Sequence, residues 1–421
     1  MNEKLLQYLW NFKIFTNFDF KDVEGNPLEI VEFGQWNFDS GPDFLFGKIK
    51  TQGVTLAGNI ELHVKSSDWI FHRHSGNPEF ENIIAHVVFI HDIEIDEFTG
   101  KNIPTLELRN YIDEQLLSKY ELLLQENQFI PCEKLFNPHY LPFNFHEETL
   151  LKKLDEKAVL IEEALKRNKN NYEAILFQQL AYAFGLKVNA PLFQQLAESI
   201  EFSVFNKIRQ NQTQLEALFF GMSNWLEKPS DDQTRIWKRE FEFLKVKYQL
   251  PPSYIHPKFS KLRPPNFPTI RFSQLASLYH QNQNLFSKII NAKTIVEIIS
   301  VFNKVKASEY WDHRFNFGKI SSVSGEKTLT KEFTELLIIN AVLPLIYTYY
   351  KNTDENIPDF IIQLYQKISP EKNTVIEEWK KLNLPAETAF ETQSLIYHYR
   401  NYCEKKNCLK CGIGLKLMNT S

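Results

Sequence analysis

Apolar residues at Leu5, Leu6, Leu9, Trp10 and Ile14 recur at helical spacing and predict one short amphipathic helix over residues 4–15. The pattern then changes. The segments LEIVEFGQW, FLFGKIKT, VTLAGNIELHVKS, IIAHVVFIHDIEI and TLELRN are rich in β-branched and aromatic residues, and Gly, Asn or Gln-Gly turns separate several of them. A helix followed by a mixed, mainly antiparallel sheet is expected.

After Tyr111 the apolar period is helical in DEQLLSKYELLLQEN, ETLLKKLDEKAVLIEEALKR, TRIWKREFEFLKVKYQ and TKEFTELLIINAV. The fold class is therefore α+β, with an α/β domain over residues 1–125 and a large all-α region over residues 126–421. Prolines 131, 138 and 142 mark the linker, because each ring disfavours helix at and before its own position. Six of the 19 prolines fall between Pro251 and Pro268, a segment that either divides the helical part or straps across it. The hexapeptide LFQQLA occurs at Leu176 and again at Leu192, which predicts two similar helices in a hairpin with Gly185 as stop and Asn189 as start. One repeat falls short of the three units a solenoid needs.

With 421 residues, 43% of them hydrophobic, the chain can bury a sizeable core. Its net charge of -4 lacks the basic excess of a protein that coats nucleic acid, so any phosphate contact must be local. The longest apolar run, Leu336 to Tyr350, is interrupted by Asn340 and Pro344 and is shorter than the roughly 20 residues of a membrane span. A buried helix is expected there, and no membrane partner. The opening MNEKLLQYLWNF has an acid in third place and no small-residue cleavage pattern, so a cytoplasmic location is expected. Neither phosphate-binding glycine loop occurs, nor a G-x-S-x-G elbow, which argues against an ATPase, a dinucleotide enzyme or an α/β-hydrolase.

Candidate chemistry concentrates between residues 42 and 91. Glu61, His63 and Lys65 alternate along one strand and so share a face. The gap from Asp43 to Glu61 fits one strand, a Gln-Gly turn and a return strand, which would bring the two carboxylates together. Paired carboxylates are a hard-oxygen site for Mg²⁺ or Mn²⁺, which polarises a phosphoryl oxygen and acidifies an attacking water. A neighbouring imidazole or amine, His63 or Lys65, could then orient that water, with Glu29 or Glu32 as a third acid. Five of the 11 histidines (His63, His72, His74, His86 and His91) fall in the same stretch. Either His72, His74 and His86 join the acids around a softer metal, Mn²⁺ or Zn²⁺, or these imidazoles are neutral edge residues in a turn.

Pro42-Asp43, a hairpin-length gap and Glu61-Leu62-His63 together resemble the proline-aspartate and acid-any-lysine signature of the restriction-endonuclease-like nuclease superfamily. That resemblance implies a helix-plus-sheet core, metal-dependent phosphodiester cleavage and a nucleic-acid partner, DNA by preference. It departs at His63, which stands where the lysine belongs; the nearest lysine is Lys65. Through GPDF, ELH, HVV, RPPNFPTIR and the terminal cysteines, nearly the whole chain is also similar to a bacterial family known as domain of unknown function 2851. Two other functions use the same residues: a partner-binding scaffold on a degenerate nuclease fold, and a His-rich metallohydrolase acting on another substrate.

The four cysteines are Cys132, Cys403, Cys408 and Cys411. So sparse and clustered a set reads as free thiols or metal ligands, not as a disulfide framework. The last three can wrap one metal with Cys132 closing the shell, around Zn²⁺ or an iron–sulfur cluster, and some nucleases related to that superfamily carry a similar staple. Arg263 and Arg271 flank RPPNFPTIR, either gripping phosphate or securing a strap, with Arg271 expected against a buried acid. EYWDHRF, Glu309 to Phe315, could stack on a base or pack as a helix end.

Overall fold

A computed structural model describes residues 1–37, 40–123, 128–352 and 356–419. The expected boundary at residue 125 lies outside the described residues. Contacts group the chain into two compact units, Met1–Phe143 with Tyr399–Ser421, and Asn144–His398. The cysteine-bearing C-terminus, expected with the helical half, thus belongs to the first unit.

In that unit α1 (Glu3–Phe12) begins where the Asn2 side chain accepts the Leu5 N–H at 2.9 Å, and it stops at Lys13, whose φ of 57° is left-handed. Ile14 therefore lies past its end. Leu5, Leu6, Leu9 and Trp10 are fully buried, as their spacing predicts. The sheet comprises β1 (Leu28–Glu32), β2 (Gln35–Trp36), β3 (Phe44–Thr51), β4 (Val54–Lys65), β5 (Ile83–Ile90) and β6 (Thr105–Glu107), in the order β1-β3-β4-β5-β6 with β2 also on β3. Gln52 and Gly53, both at positive φ, make the two-residue turn between β3 and β4.

β3 is antiparallel to β1, β2 and β4, whereas β5 runs parallel to β4 and β6 parallel to β5. The sheet is mixed, and less antiparallel than its pattern predicts. Parallel neighbours need crossovers, and here these carry helices of only four and six residues, α2 (Asp68–Phe71) and α3 (Asp96–Lys101). Elements that short leave no periodicity in an eleven-residue window. β4 sits inside the sheet and is buried on both alternations, Ile60 and Leu62 on one, Glu61 and His63 on the other.

The second unit is helical around one continuous apolar core. The LFQQLA copies lie on Tyr172–Phe184 and Leu186–Ser199, which pack together. Gly185 joins them where a Cβ would stand 2.6 Å from the backbone of Ala190, so a larger residue would force them apart. Asn189, expected as a helix start, lies inside the second helix. There it holds the proline-rich segment, accepting the Lys258 N–H at 2.7 Å and donating to the Lys258 carbonyl at 2.8 Å. Arg271 finds no buried acid: its guanidinium donates to Gln274 at 2.8 Å and Asn266 at 2.5 Å and lies 3.4 Å from the centroid of the Phe333 ring. Trp311 of EYWDHRF is fully buried in the core. The helix Lys331–Tyr350 is long and apolar enough to cross a membrane, and 78% of that window is buried inside the protein.

Glu216 is a fully buried carboxyl that accepts from the hydroxyls of Ser273 and, at 2.8 Å, Ser308. Desolvation raises its pKa from 4.5 to about 7, although those hydroxyls favour the charged form. Below pH 4.5 the group is protonated folded or unfolded. Between pH 4.5 and 7 the unfolded chain ionises first, so stability falls as pH rises, and the loss is complete above 7. Glu216→Gln removes that slope. Urea unfolding is expected to show the variant gaining up to roughly 3 kcal/mol on the native protein at pH 8 and far less at pH 5.

Candidate metal centre

Asp43, just before β3, and Glu61 on β4 are joined through the backbone. The Asp43 N–H donates to the Glu61 carboxylate at 3.0 Å, and the Leu62 N–H donates to the Asp43 carboxylate at 3.1 Å. Gln7 of α1 donates to the other Asp43 oxygen at 2.7 Å. One turn earlier on the same helix face, Glu3 places a carboxylate oxygen 3.9 Å from His72 Nδ1. Both α1 residues escape sequence reasoning, because an acid in a first turn reads equally well as a partner of the helix dipole.

His63 follows Glu61 on the same face of β4. His72 and His74 come from the crossover to β5, where Arg73 between them has a left-handed φ of 59° that lets the chain reverse. Trp69, Phe80, Ile83, Ile95 and Phe98 form a small core beneath that crossover, and the His74 ring packs 3.9 Å from Phe80. Three imidazoles converge, and Glu61 stands against two of them. His63 Nε2 is 3.2 Å from His72 Nδ1 and 3.7 Å from Glu61 Oε1, while His74 Nε2 is 3.4 Å from that same oxygen. The three imidazoles each offer a nitrogen within 4.8 Å of the other two. Bonds of roughly 2.0–2.1 Å at tetrahedral angles put ligand atoms about 3.3 Å apart, so this cluster could coordinate one metal ion.

His86 stands behind the cluster, its Nε2 2.9 Å from His63 Nδ1. With His63 Nε2 as the ligating atom, Nδ1 carries the proton and donates it to His86, fixing the ring and its tautomer. Burial depresses His63 to a pKa of about 2 and His86 to about 3, and neighbouring imidazoles add to the fall. Both therefore stay neutral with a lone pair available. Burial raises the pKa of Asp43 and Glu61; the charge of Asp43 raises Glu61 further, and that of Glu3 adds to both. A dication would reverse that repulsion, since both carboxylates are then held against positive charge.

The remaining candidates separate. Lys65 is exposed at the strand end, and among the described residues no hydrogen bond or ion pair joins its ammonium to Asp43 or Glu61. Glu29 faces Lys50 across the sheet edge at 4.0 Å, two-thirds exposed, and Glu32 is registered with Lys48; neither is a third acid here. His91 pairs with Glu94 at 3.2 Å. Cys132, Cys403, Cys408 and Cys411 are all buried, and among the described residues none forms a disulfide. Beside Asp43 opens a cleft of about 490 Å³ whose lining includes Lys4, Lys405, Lys406 and Lys410.

Fold and site define a class: a mixed-sheet unit whose histidine cluster could hold a metal ion, followed in the chain by a mainly helical unit with one short hairpin of Arg314–Asn316 and Lys319–Ile320. Residues 3–374 match the model of the family described as a protein of unknown function, DUF2851, and the chain belongs to that family. The clustered cysteines lie beyond the matched segment. No curated protein and no solved structure matches the chain.

Calorimetric titration with Mn²⁺ or Zn²⁺ is expected to show one tight site, weakened roughly 10- to 100-fold by His74→Ala or Glu61→Gln and unchanged by His91→Ala. Melting temperature should rise with free metal in the native chain and much less in the two weakened variants.

Proposed function

We propose that the chain is a metal-dependent nuclease that hydrolyses phosphodiester bonds, with DNA the favoured substrate. The observation that carries this reading is the convergence of Glu61, His63, His72 and His74, with Asp43 bridged to Glu61 and opening onto a lysine-lined cleft. Three imidazoles and a carboxylate suit Mn²⁺ or Zn²⁺ better than Mg²⁺, which prefers oxygen and retains its waters. Such an ion supplies Lewis-acid polarisation of the phosphoryl oxygen and a more acidic water.

Asp43 is placed to take the proton released as that water forms its bond to phosphorus. The bond from phosphorus to the leaving ribose oxygen breaks, and that oxygen takes a proton from solvent. The cleft lysines offset the charge that gathers on the phosphoryl oxygens. His63 and His86 act through position: one holds the ion, the other holds its partner's ring. Lys65 has no part in this assignment. The order of Pro42-Asp43 at the start of β3 and Glu61 on its antiparallel neighbour β4 supports the likeness to restriction-endonuclease-like nucleases, and the imidazole at position 63 sets this chain apart from it.

With Mn²⁺ present, Asp43→Asn and Glu61→Gln are each expected to slow cleavage of labelled DNA by roughly 10³-fold, and Lys65→Ala to leave it within about twofold. Substrate panels should include single-stranded DNA, double-stranded DNA and RNA. A metal-loaded chain inert toward all three overturns the nuclease reading and leaves a partner-binding scaffold.

A further inference from the structure

The nine residues Cys403 to Cys411, CEKKNCLKC, hold three lysines and three buried cysteines on a tight double turn. The Lys406 N–H returns to the Cys403 carbonyl at 3.0 Å with Lys406 at a left-handed φ of 52°, and the Cys411 N–H returns to the Cys408 carbonyl at 3.1 Å. Apart from the cysteines, Leu409 is the loop's single apolar side chain, so hydrophobic burial offers little to hold it in shape. Cys132 comes from a distant part of the chain into the same unit.

The loop is fastened on several sides. The Phe129 ring stacks on Tyr399 at 4.8 Å, and Lys416 of the final helix, Gly412–Asn419, donates to the His139 carbonyl at 3.3 Å. Gly414 in that helix lies so close that a Cβ there would be 2.2 Å from the Cys408 carbonyl oxygen. The Cys411 sulfur accepts backbone N–H groups from Ile413 and Gly414, an arrangement that favours a thiolate. The Phe129–Tyr399 stack brings the segment of Cys132 against the one that carries Cys403, and Cys403 interacts electrostatically with the other three thiols. All four are buried, shut off from the water that would solvate their anions, and a shared cation that displaces their protons takes that role.

The same loop builds a wall of the cleft at Asp43. Lys405, Lys406 and Lys410 line it, with Lys4, Trp36 and Tyr120 opposite or beside them. Tyr120 connects the two features, because its hydroxyl accepts from Asn2 at 3.2 Å and interacts electrostatically with the Cys408 thiol. Lysines with aromatic rings in a cleft of about 490 Å³ suit one strand with a stacked base.

We propose that Cys132, Cys403, Cys408 and Cys411 bind one thiophilic metal centre, and that this centre shapes the lysine loop into the wall that receives single-stranded nucleic acid at Asp43. The substrate half rests on the nuclease reading; the metal half does not. Among the described residues no three of the sulfurs lie within 4.8 Å of one another. A zinc tetrathiolate, with edges of about 3.8 Å, requires the loop to close further, whereas an iron–sulfur cluster fills a wider gap. Both sources share the thiolate chemistry.

The test uses the full chain purified without oxygen, with iron and zinc measured per chain and absorption recorded. One metal centre is expected that persists in His74→Ala and disappears in the Cys408→Ala/Cys411→Ala double variant, with thiolate-to-metal charge transfer on iron or after Co²⁺ exchange. Binding of a fluorescent single-stranded DNA oligomer, read with Ca²⁺ so that nothing is cut, should weaken at least tenfold in the double variant. A Lys405→Ala/Lys406→Ala/Lys410→Ala variant should keep its metal, bind at least tenfold more weakly and lower the salt slope of log K by about 2. A native chain without thiolate-bound metal overturns the proposal, and that measurement holds even if the cysteine variant fails to fold. Unchanged binding by the lysine variant overturns the substrate half. Binding with no cleavage in Mn²⁺ overturns the nuclease reading alone.

Discussion

Two backbone amides decide where the chemistry of this protein can sit. The Asp43 N–H is spent on Glu61 and the Leu62 N–H on Asp43, so each acid is held by the strand that carries the other. The exchange is possible because the Gln52-Gly53 turn sets the register of β3 on β4 as far as Gly47 opposite Gly58, and a bulge between Phe44 and Gly47, where Phe46 has a φ of 60°, shifts it by one residue to bring Phe44 opposite Ile60. A one-residue slip would turn Glu61 and His63 to the face now occupied by Ile60 and Leu62. Apolar burial on that second face therefore guards the polar site on the first.

Desolvation gives the cluster its character. Two carboxylates and four imidazoles packed this closely cannot all hold charge: burial favours the protonated form of the acids and the neutral rings of His63 and His86. Among the described residues His86 Nδ1 is the buried atom of this set that lacks a hydrogen bond, a cost of about 1–3 kcal/mol. His72, with 45% of its side chain exposed, is the edge through which an ion could enter. The aromatic floor of Trp69, Phe80 and Phe98 keeps the rings in place while the ion is absent.

Legibility in the sequence followed the length of the signal. Asp43 and Glu61 could be paired because strand alternation and a two-residue turn are local rules, and the long helices of the second unit announce themselves over many turns. The parallel half of the sheet could not be read, since α2 and α3 are shorter than the window that reveals a period. Glu3 and Gln7 were hidden for another reason: they reach the site from α1 through tertiary packing alone. Lys65 misled in the opposite way. Its alternation with Glu61 and His63 is real, but the strand leaves the buried interior there, and facing the same side is not the same as reaching the site.

The return of residues 399–421 to the first unit is the feature least accessible to pattern reading, and it bears most on specificity. A cleft built from the N-terminal segment alone would offer Lys4 and Asp43, one charge of each sign, and little attraction for a phosphate backbone. Three more lysines arrive with the cysteine loop, and they convert a nearly neutral groove into a locally basic one inside a chain whose net charge is -4. Local charge of this kind acts within about a Debye length, roughly 8–10 Å in physiological salt, so it works on an anion already at the mouth of the cleft and not over the rest of the surface. The fold of the cysteine loop, which carries three of the four lysines, therefore sets the charge that stands beside Asp43.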